Sequence, residues 1–314
     1  MPPSTAIPEP STVLITGASG FIGGAVTDRL IDRAKTTIRG LTFHPGKNRF
    51  GDRVRSFAYD FADPARMAAA FQGVDVFVNS YYVRFNYAAE TFELAVDRTR
   101  DLIAQAQAAG VRKIVHVSVS NADERSDLPY YRNKGRIERL IRESGIDFTI
   151  LRPALVFGRG DILINNIAFF LRHVPVFTIF GRGDYRTQPI DLDAFASFAT
   201  DAVDGAYRGE TVPVAGPDDW RFLDLVSRVR SAVGSRALLV RAPAALALAG
   251  LGVAGLFLRD VVLTRDEIKG LTREFLYVEQ PVRRGPSLSE WLAREDIRAT
   301  LGRRYESELA RHFR

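Results

Sequence analysis

Three glycines, Gly17, Gly20 and Gly23, stand at fixed spacing between the apolar run Val13–Thr16 and a segment ending near Arg33. That pattern suits one piece of chemistry, the binding of a pyrophosphate. Gly17 permits a tight turn, Gly20 lets the backbone approach phosphate oxygens, and Gly23 lets a helix pack closely on a strand. The first N–H groups of a helix have no acceptor within it, so they are offered to an anion. The spacing predicts a cradle made of Gly17, Ser19, Gly20, Phe21, Ile22 and Gly23.

Other reactive residue types are sparse. The 314 residues include no cysteine, which excludes disulfides, thiol nucleophiles and cysteine metal sites. His44, His116, His173 and His312 are scattered without ligand spacing, so no metal site is expected. The net charge of +6 suits anionic partners such as nucleotide phosphates or acidic lipid. No basic run is interleaved with aromatics, and nucleic acid is not expected. A content of 46% hydrophobic and 25% charged residues fits a globular protein rather than a disordered or multi-span chain.

Elements of a definite kind must hold the glycines. Val13–Thr16 reads as a short buried strand, and Ala25, Val26, Leu30 and Ile31 mark the apolar side of the helix that follows. Further strands are predicted over 36–42, 53–61, 74–81, 113–120 and 147–158, with helices over 64–72, 88–109 and 130–144. Alternation of this kind implies right-handed crossovers and a parallel sheet covered on both faces. Ligands then lie beyond the carboxyl ends of the strands. Besides the glycines, the residues there are Phe43, His44, Asp60, Asn79 to Tyr82, Ser118 to Asn121 and Pro153, and the aromatic stretch VNSYYVRF at 78–85 either lines an apolar substrate site or packs under a loop.

Residues 1–11 read as a disordered arm, without the basic start and apolar core of a signal peptide. The second half is less regular. It offers an apolar helix in ILINNIAFFLRHV, FGRGD turns at 157–161 and 180–184, a helix capped by Asp193, a strand in VPVAGP and a helix from Phe222 to Val233. Ala242–Leu258 is an uncharged run of 17 residues, read as a buried or surface-seeking helix, with membrane contact as the alternative. Amphipathic helices rich in arginine complete the chain, including one long stretch through LSEWLAREDIRATLGRRYESELARHF.

TGASGFIGG, the second strand, DFAD at 60–63, the YYRNK stretch, LRPALVFG and QPIDLDAFA together resemble the short-chain dehydrogenase/reductase superfamily. The resemblance spans roughly residues 12–300. It is to the extended or atypical branch of NAD-dependent epimerases and dehydratases, and within it to bacterial NAD(P)H-binding proteins related to the accessory subunit of respiratory complex I. It implies an α/β fold, a Rossmann-type doubly wound parallel sheet with a smaller, mostly helical C-terminal substrate domain. The first domain would take 12–160 with about 186–212, and the second 161–185 with 213–314.

The resemblance also implies roles. Gly17, Gly20 and Gly23 match the pyrophosphate glycines, Asp60 an acid that contacts adenine, and Pro153 a residue near the nicotinamide. Asn79 and Ser80 match the strand exit on the nicotinamide side. Tyr130 and Lys134 match the YxxxK pair. A four-residue offset puts both on one helix face, where the ammonium stabilises a phenolate so that tyrosine exchanges a proton near neutral pH. Lys134 would also hold the nicotinamide ribose. Ser118 or Ser120 would polarise the substrate, although direct alignment places Val119 there. At the end of the second strand stand Phe43 and His44, with Lys47 and Arg49 nearby and no acid, which favours NADP over NAD.

The leading expectation is therefore an NAD(P)-dependent oxidoreductase or epimerase acting on a small molecule. The alternatives are a non-catalytic NAD(P)H-binding sensor or assembly subunit, and a quinone- or lipid-facing reductase working at a membrane surface. The expected location is cytoplasmic, with peripheral contact at the inner face of a membrane left open.

Overall fold

The computed structural model describes residues 11–243, 260, 263–307 and 309. The expected arm at 1–10 and all of the apolar run beyond Pro243 lie outside the described residues. The chain divides into two compact units, Met1–Pro153 with Leu192–Pro213, and Ala154–Asp191 with Val214–Arg314.

In the first unit the chain runs β1 (Thr12–Thr16), α1 (Phe21–Leu30), β2 (Thr37–Thr42), β3 (Val54–Ala58), α2 (Ala68–Phe71) and β4 (Val76–Asn79). There follow α3 (Phe92–Ala108), β5 (Lys113–Val117), α4 (Pro129–Glu143), β6 (Asp147–Pro153) and α6 (Leu192–Val203). The strands lie in the order β3-β2-β1-β4-β5-β6, and Glu210–Ala215 (β11) and Val282–Arg283 (β14) extend the sheet to eight. The pairs β1–β2, β2–β3, β1–β4, β4–β5 and β5–β6 are parallel. Strand order reverses between β1 and β4, the switch point where this class of sheet opens a crevice.

The local sequence explains these elements. Every residue of β4 and β5 is buried, as a parallel sheet covered on both faces requires. On α3, Phe92, Ala95, Val96, Thr99, Leu102, Ile103 and Ala106 form one buried stripe, and the Thr91 hydroxyl caps the helix by accepting from the Leu94 N–H. Helix α6 already begins at Leu192, so Asp193 is not its cap. It lies in the first turn, where a carboxylate complements the helix dipole, and pairs with Arg29 of α1 at 2.8 Å.

The second unit holds β7 (Leu155–Phe157), α5 (Leu163–His173), β8 (Val176–Phe180), β9 (Arg186–Thr187), β10 (Pro189–Asp191), β12 (Trp220–Arg221), α7 (Phe222–Ala232) and β13 (Leu238–Ala242). The strand expected over 147–158 is two, β6 and β7. β7 leaves the large sheet to pair with β10, which draws 154–160 and 186–191 into the second unit. β13 was not expected; it pairs with β8 in parallel. The long terminal helix is two short ones, Leu288–Ala293 and Glu295–Thr300, because Arg294 takes an extended ψ of 134° between them. Trp291 packs edge-on against Phe157 in the apolar centre of this unit.

Candidate active site

The glycine cradle forms where β1 enters α1. Gly17 has φ of +62°, a region that penalises any side chain, and its N–H donates to the Leu41 carbonyl of β2 at 2.8 Å. A Cβ on Gly23 would sit 2.3 Å from the Gly17 carbonyl oxygen and 2.8 Å from that of Thr16. Only glycine permits that approach. Gly20 precedes α1, no side chain caps the helix, and its first turn contains no acid. The first-turn N–H groups are therefore left for an anion, with Ser19, Phe21 and Ile22 half-buried around them. Gly40 belongs to the same construction and was missed: a Cβ there would come within 3.1 Å of the Ala18 Cβ. A glycine inside a strand was the available signal.

At the end of β2, His44 is exposed and its N–H donates to the Thr42 hydroxyl at 3.2 Å. Lys47 is exposed in the turn that follows. Arg49 pairs with Asp28 of α1 at 2.5 Å and lies 4.3 Å over the Phe50 ring. That brings its guanidinium against Gly24 at the start of α1. Asp60 is turned into its own loop, accepting from the Asp63 N–H at 3.0 Å and from Arg66 at 3.4 Å.

Beside it stands an aromatic group in which Tyr59 and Phe61 join Phe43 and Tyr81, two of the expected strand-exit residues. Phe43 and Tyr59 have ring centres 4.6 Å apart, Tyr59 stacks on Phe61 at 5.1 Å, and Tyr81 closes the group 5.4 Å from Tyr59. Arg98 of α3 lies 4.8 Å over Phe61, donates to the Tyr81 hydroxyl at 3.0 Å and pairs with Glu90. Burial pushes the Tyr59 phenol well above its ordinary pKa, so it stays protonated beside Thr16.

Asn79 and Ser80 make hydrogen bonds around the end of β4. The Ser80 hydroxyl donates to the Thr16 carbonyl at 2.7 Å, and its N–H donates to the Thr16 hydroxyl at 2.7 Å. Asn79 is fully buried; its side-chain oxygen accepts from the Tyr81 N–H at 3.1 Å, and its carbonyl lies 3.1 Å from His116 Nδ1. The Asn79 amide nitrogen and His116 Nε2 are buried without protein partners.

Burial, and the positive charge of Lys134 close by, push the His116 pKa well below its ordinary value. An unfolded histidine takes up a proton near pH 6.5 while the folded one stays neutral, so stability falls as pH drops below about 6.5. Melting temperatures between about pH 7.5 and 5.5 are expected to decline less steeply in His116→Gln than in the parent. Equal slopes would remove His116 as a cause.

Lys134 is buried, donates to the Val117 carbonyl at 3.0 Å and lies 4.2 Å over the Tyr82 ring. Burial lowers its pKa to about 7, against a smaller raising influence from Glu138 one turn along α4. The aromatic face in contact with Lys134 is thus that of Tyr82, a residue whose neighbourhood to Lys134 no local spacing reveals. Tyr130 packs edge-on against Tyr82 at 5.4 Å, Phe92 at 5.9 Å and Tyr131 at 5.2 Å.

Ser118 is committed elsewhere. Its hydroxyl donates to Glu138 at 2.5 Å, and that fully buried carboxylate also accepts from Arg152 at 2.8 Å and Arg142 at 2.7 Å. Placing Ser118 as a substrate donor is therefore corrected: the nearby carboxylate outcompetes a neutral carbonyl for its proton. Ser120 is fully buried, and its N–H donates to the carbonyl of the buried Pro153 at 2.9 Å.

Comparison with known proteins accords with this construction. The family described as NAD(P)H-binding matches residues 17–159. The chain is 22% identical over 248 residues to the photosystem II assembly factor Ycf39 of Cyanophora paradoxa, covering 74% of this chain and 72% of that protein. It is 24% identical over 215 residues to the mitochondrial NADH dehydrogenase (ubiquinone) 1 alpha subcomplex subunit 9 of Arabidopsis thaliana, covering 65% of this chain and 53% of that one. Among solved structures, an NADPH-dependent quinone oxidoreductase from Escherichia coli, complexed with NADPH, aligns with a TM-score of 0.71 at 22% identity. That alignment covers 89% of this chain and 98% of the other. A UDP-glucuronic acid 4-epimerase of Bacillus cereus with NAD aligns with a TM-score of 0.63 at 20% identity, over 74% and 87% of the two chains.

Proposed function

We propose that the protein, whose residues 17–159 match the NAD(P)H-binding family, is an NAD(P)H-dependent oxidoreductase of the short-chain dehydrogenase/reductase type. The residues present fit the dinucleotide: Gly17 turns the chain at φ +62°, a Cβ on Gly23 would strike the Gly17 carbonyl oxygen at 2.3 Å, and the first turn of α1 has neither a side-chain cap nor an acid. Reduced nicotinamide, when bound, supplies the hydride. Lys134 holds the nicotinamide ribose and sets the electrostatics of the neighbouring proton donor, and Tyr130 gives or takes the proton. One observation carries this reading. Lys134 is buried at the exit of β5, donating to the Val117 carbonyl at 3.0 Å and lying 4.2 Å over the Tyr82 ring, which packs edge-on against Tyr130 at 5.4 Å.

The segment Phe43–Arg49 contains no carboxylate, which favours NADP(H), with Lys47 and Arg49 as the cations for a 2′-phosphate. Calorimetric titration is expected to show NADPH binding at least about tenfold tighter than NADH, a difference of about 1.4 kcal/mol. Lys47→Glu should erase that preference. Equal affinity in the parent would contradict the assignment.

The second reading, a sensor or assembly subunit that binds the dinucleotide without turnover, draws on the commitment of Ser118 to Glu138. A screen of NADPH oxidation against quinone and carbonyl acceptors separates the two. Acceptor-dependent oxidation lost in Tyr130→Phe, with dinucleotide binding kept, supports the enzyme. Tight binding without oxidation for any acceptor supports the sensor.

A further inference from the structure

In the second unit a cleft of about 600 Å³ opens where α5, the end of α7 and the helix Glu295–Thr300 come together. Its lining is small and apolar at Ala232, Val233 and Ala299. It also carries three guanidiniums: Arg172 from the last turn of α5, Arg298 from the helix Glu295–Thr300, and Arg303 just beyond that helix.

Backbone carbonyls hold the three arginines in place. Arg172 donates through Nε to the Leu301 carbonyl and through Nη2 to that of Arg298, both at 2.9 Å. Arg303 Nε donates to the Ala299 carbonyl at 3.0 Å, and Arg298 Nε to that of Ala232 at 3.4 Å. A guanidinium offers five N–H donors in a rigid fork, so these bonds leave most of each fork unused. Nη1 of Arg172 and both terminal nitrogens of Arg298 and Arg303 have no acceptor among the described residues.

The charge around the cleft is one-sided. Other arginines of this unit meet carboxylates, as Arg186 meets Glu274 at 2.6 Å and Arg283 meets Asp219 at 2.7 Å. Among the described residues no ion pair reaches Arg172, Arg298 or Arg303. Asp296 is committed to Arg294 at 3.3 Å and to Arg159. Glu295 lines the cleft but pairs with none of the three. Arg172 is half-buried, and that burial, with the nearby Arg303 charge, lowers its pKa. Like charges brought this close are relieved by an anion set between them.

We propose that this cleft binds a small organic phosphate monoester, with its dianionic phosphate on the unused N–H groups of Arg172, Arg298 and Arg303 and its organic part against Ala232, Val233 and Ala299. Three guanidiniums against one carboxylate suit a dianion, and the planar fork matches phosphate oxygens. The volume is that of a small-molecule site. The cleft uses none of the residues assigned to the dinucleotide and does not depend on turnover.

The test is calorimetric titration of the full chain with phenyl phosphate, with phenol as the uncharged control. It compares the parent, Gly20→Asp, which sets a carboxylate in the glycine cradle, and Arg298→Gln with Arg303→Gln. Phenyl phosphate is expected to bind the parent and Gly20→Asp alike, and phenol neither. The arginine variant should lower the affinity at least about tenfold while its melting temperature holds. If that variant does not fold, Arg303→Lys carries the test, since it keeps the charge, gives up the fork and should still weaken binding. Binding lost in Gly20→Asp and kept in the arginine variants would assign the phosphate to the glycine cradle and overturn the proposal. So would equal binding in every variant, the mark of an adventitious ion only, or no binding by the parent at millimolar phenyl phosphate.

Discussion

Gly20→Asp is expected to lower dinucleotide affinity at least about a hundredfold, about 2.7 kcal/mol, with little effect on folding. A Cβ at Gly20 would meet the Gly17 carbonyl oxygen at 3.1 Å, a tight contact that a small shift relieves, and the residue is exposed. An aspartate there also gains as a helix cap, because its carboxylate accepts from first-turn N–H groups that now have no side-chain acceptor. The same gain is what excludes the ligand, since the carboxylate takes the donors and opposes a second anion. Calorimetric titration paired with thermal unfolding checks both halves. Gly23→Ala is the contrasting case. Its Cβ would lie 2.3 Å from a backbone oxygen, so β1 and α1 must separate and stability falls with binding. Dinucleotide binding unaltered in Gly20→Asp would mean that the cradle is not the phosphate site.

Lys134→Met is expected to raise stability near neutral pH while removing turnover. The folded protein holds this amine at a pKa of about 7, lowered by burial, and an unfolded lysine titrates at about 10.4. Between those values the unfolded chain binds the proton that the folded chain releases, so the parent gains stability as pH rises from about 7 to about 10.4. Methionine has no such titration and fits the apolar length of the side chain. The gain by linkage is about 4 kcal/mol at pH 7 and about 3 at pH 8, less what is lost with the Val117 hydrogen bond and the Tyr82 ring contact. Unfolding of parent and variant across that pH range should converge toward the alkaline end. A variant less stable than the parent at every pH would show Lys134 to be a structural tether. A more stable variant that oxidises NADPH as fast as the parent would remove Lys134 from the chemistry.

The sequence by itself determined the α/β class, the parallel sheet and the glycine turn that joins β1 to α1. Each is written locally: strand periods and helix periods show in a short window, and Gly17, Gly20 and Gly23 answer to contacts made within the same strand–turn–helix unit. The tertiary structure decided what depends on residues distant along the chain. Ser118 follows β5 as anticipated, yet Glu138, Arg142 and Arg152 arrive from a helix and from another strand to claim its hydroxyl. Tyr82 lies under Lys134 although 52 positions separate them in the chain. Phe43, Tyr59, Phe61 and Tyr81 meet because β2, β3 and β4 end at the same level of one sheet. β13 was missed because Leu238–Ala242 lacks a clean alternation, and its partner β8 lies about 60 residues earlier, beyond any local window. A site assembled at the carboxyl ends of a parallel sheet is non-local, since each strand contributes one or two residues and only their pairing brings them together.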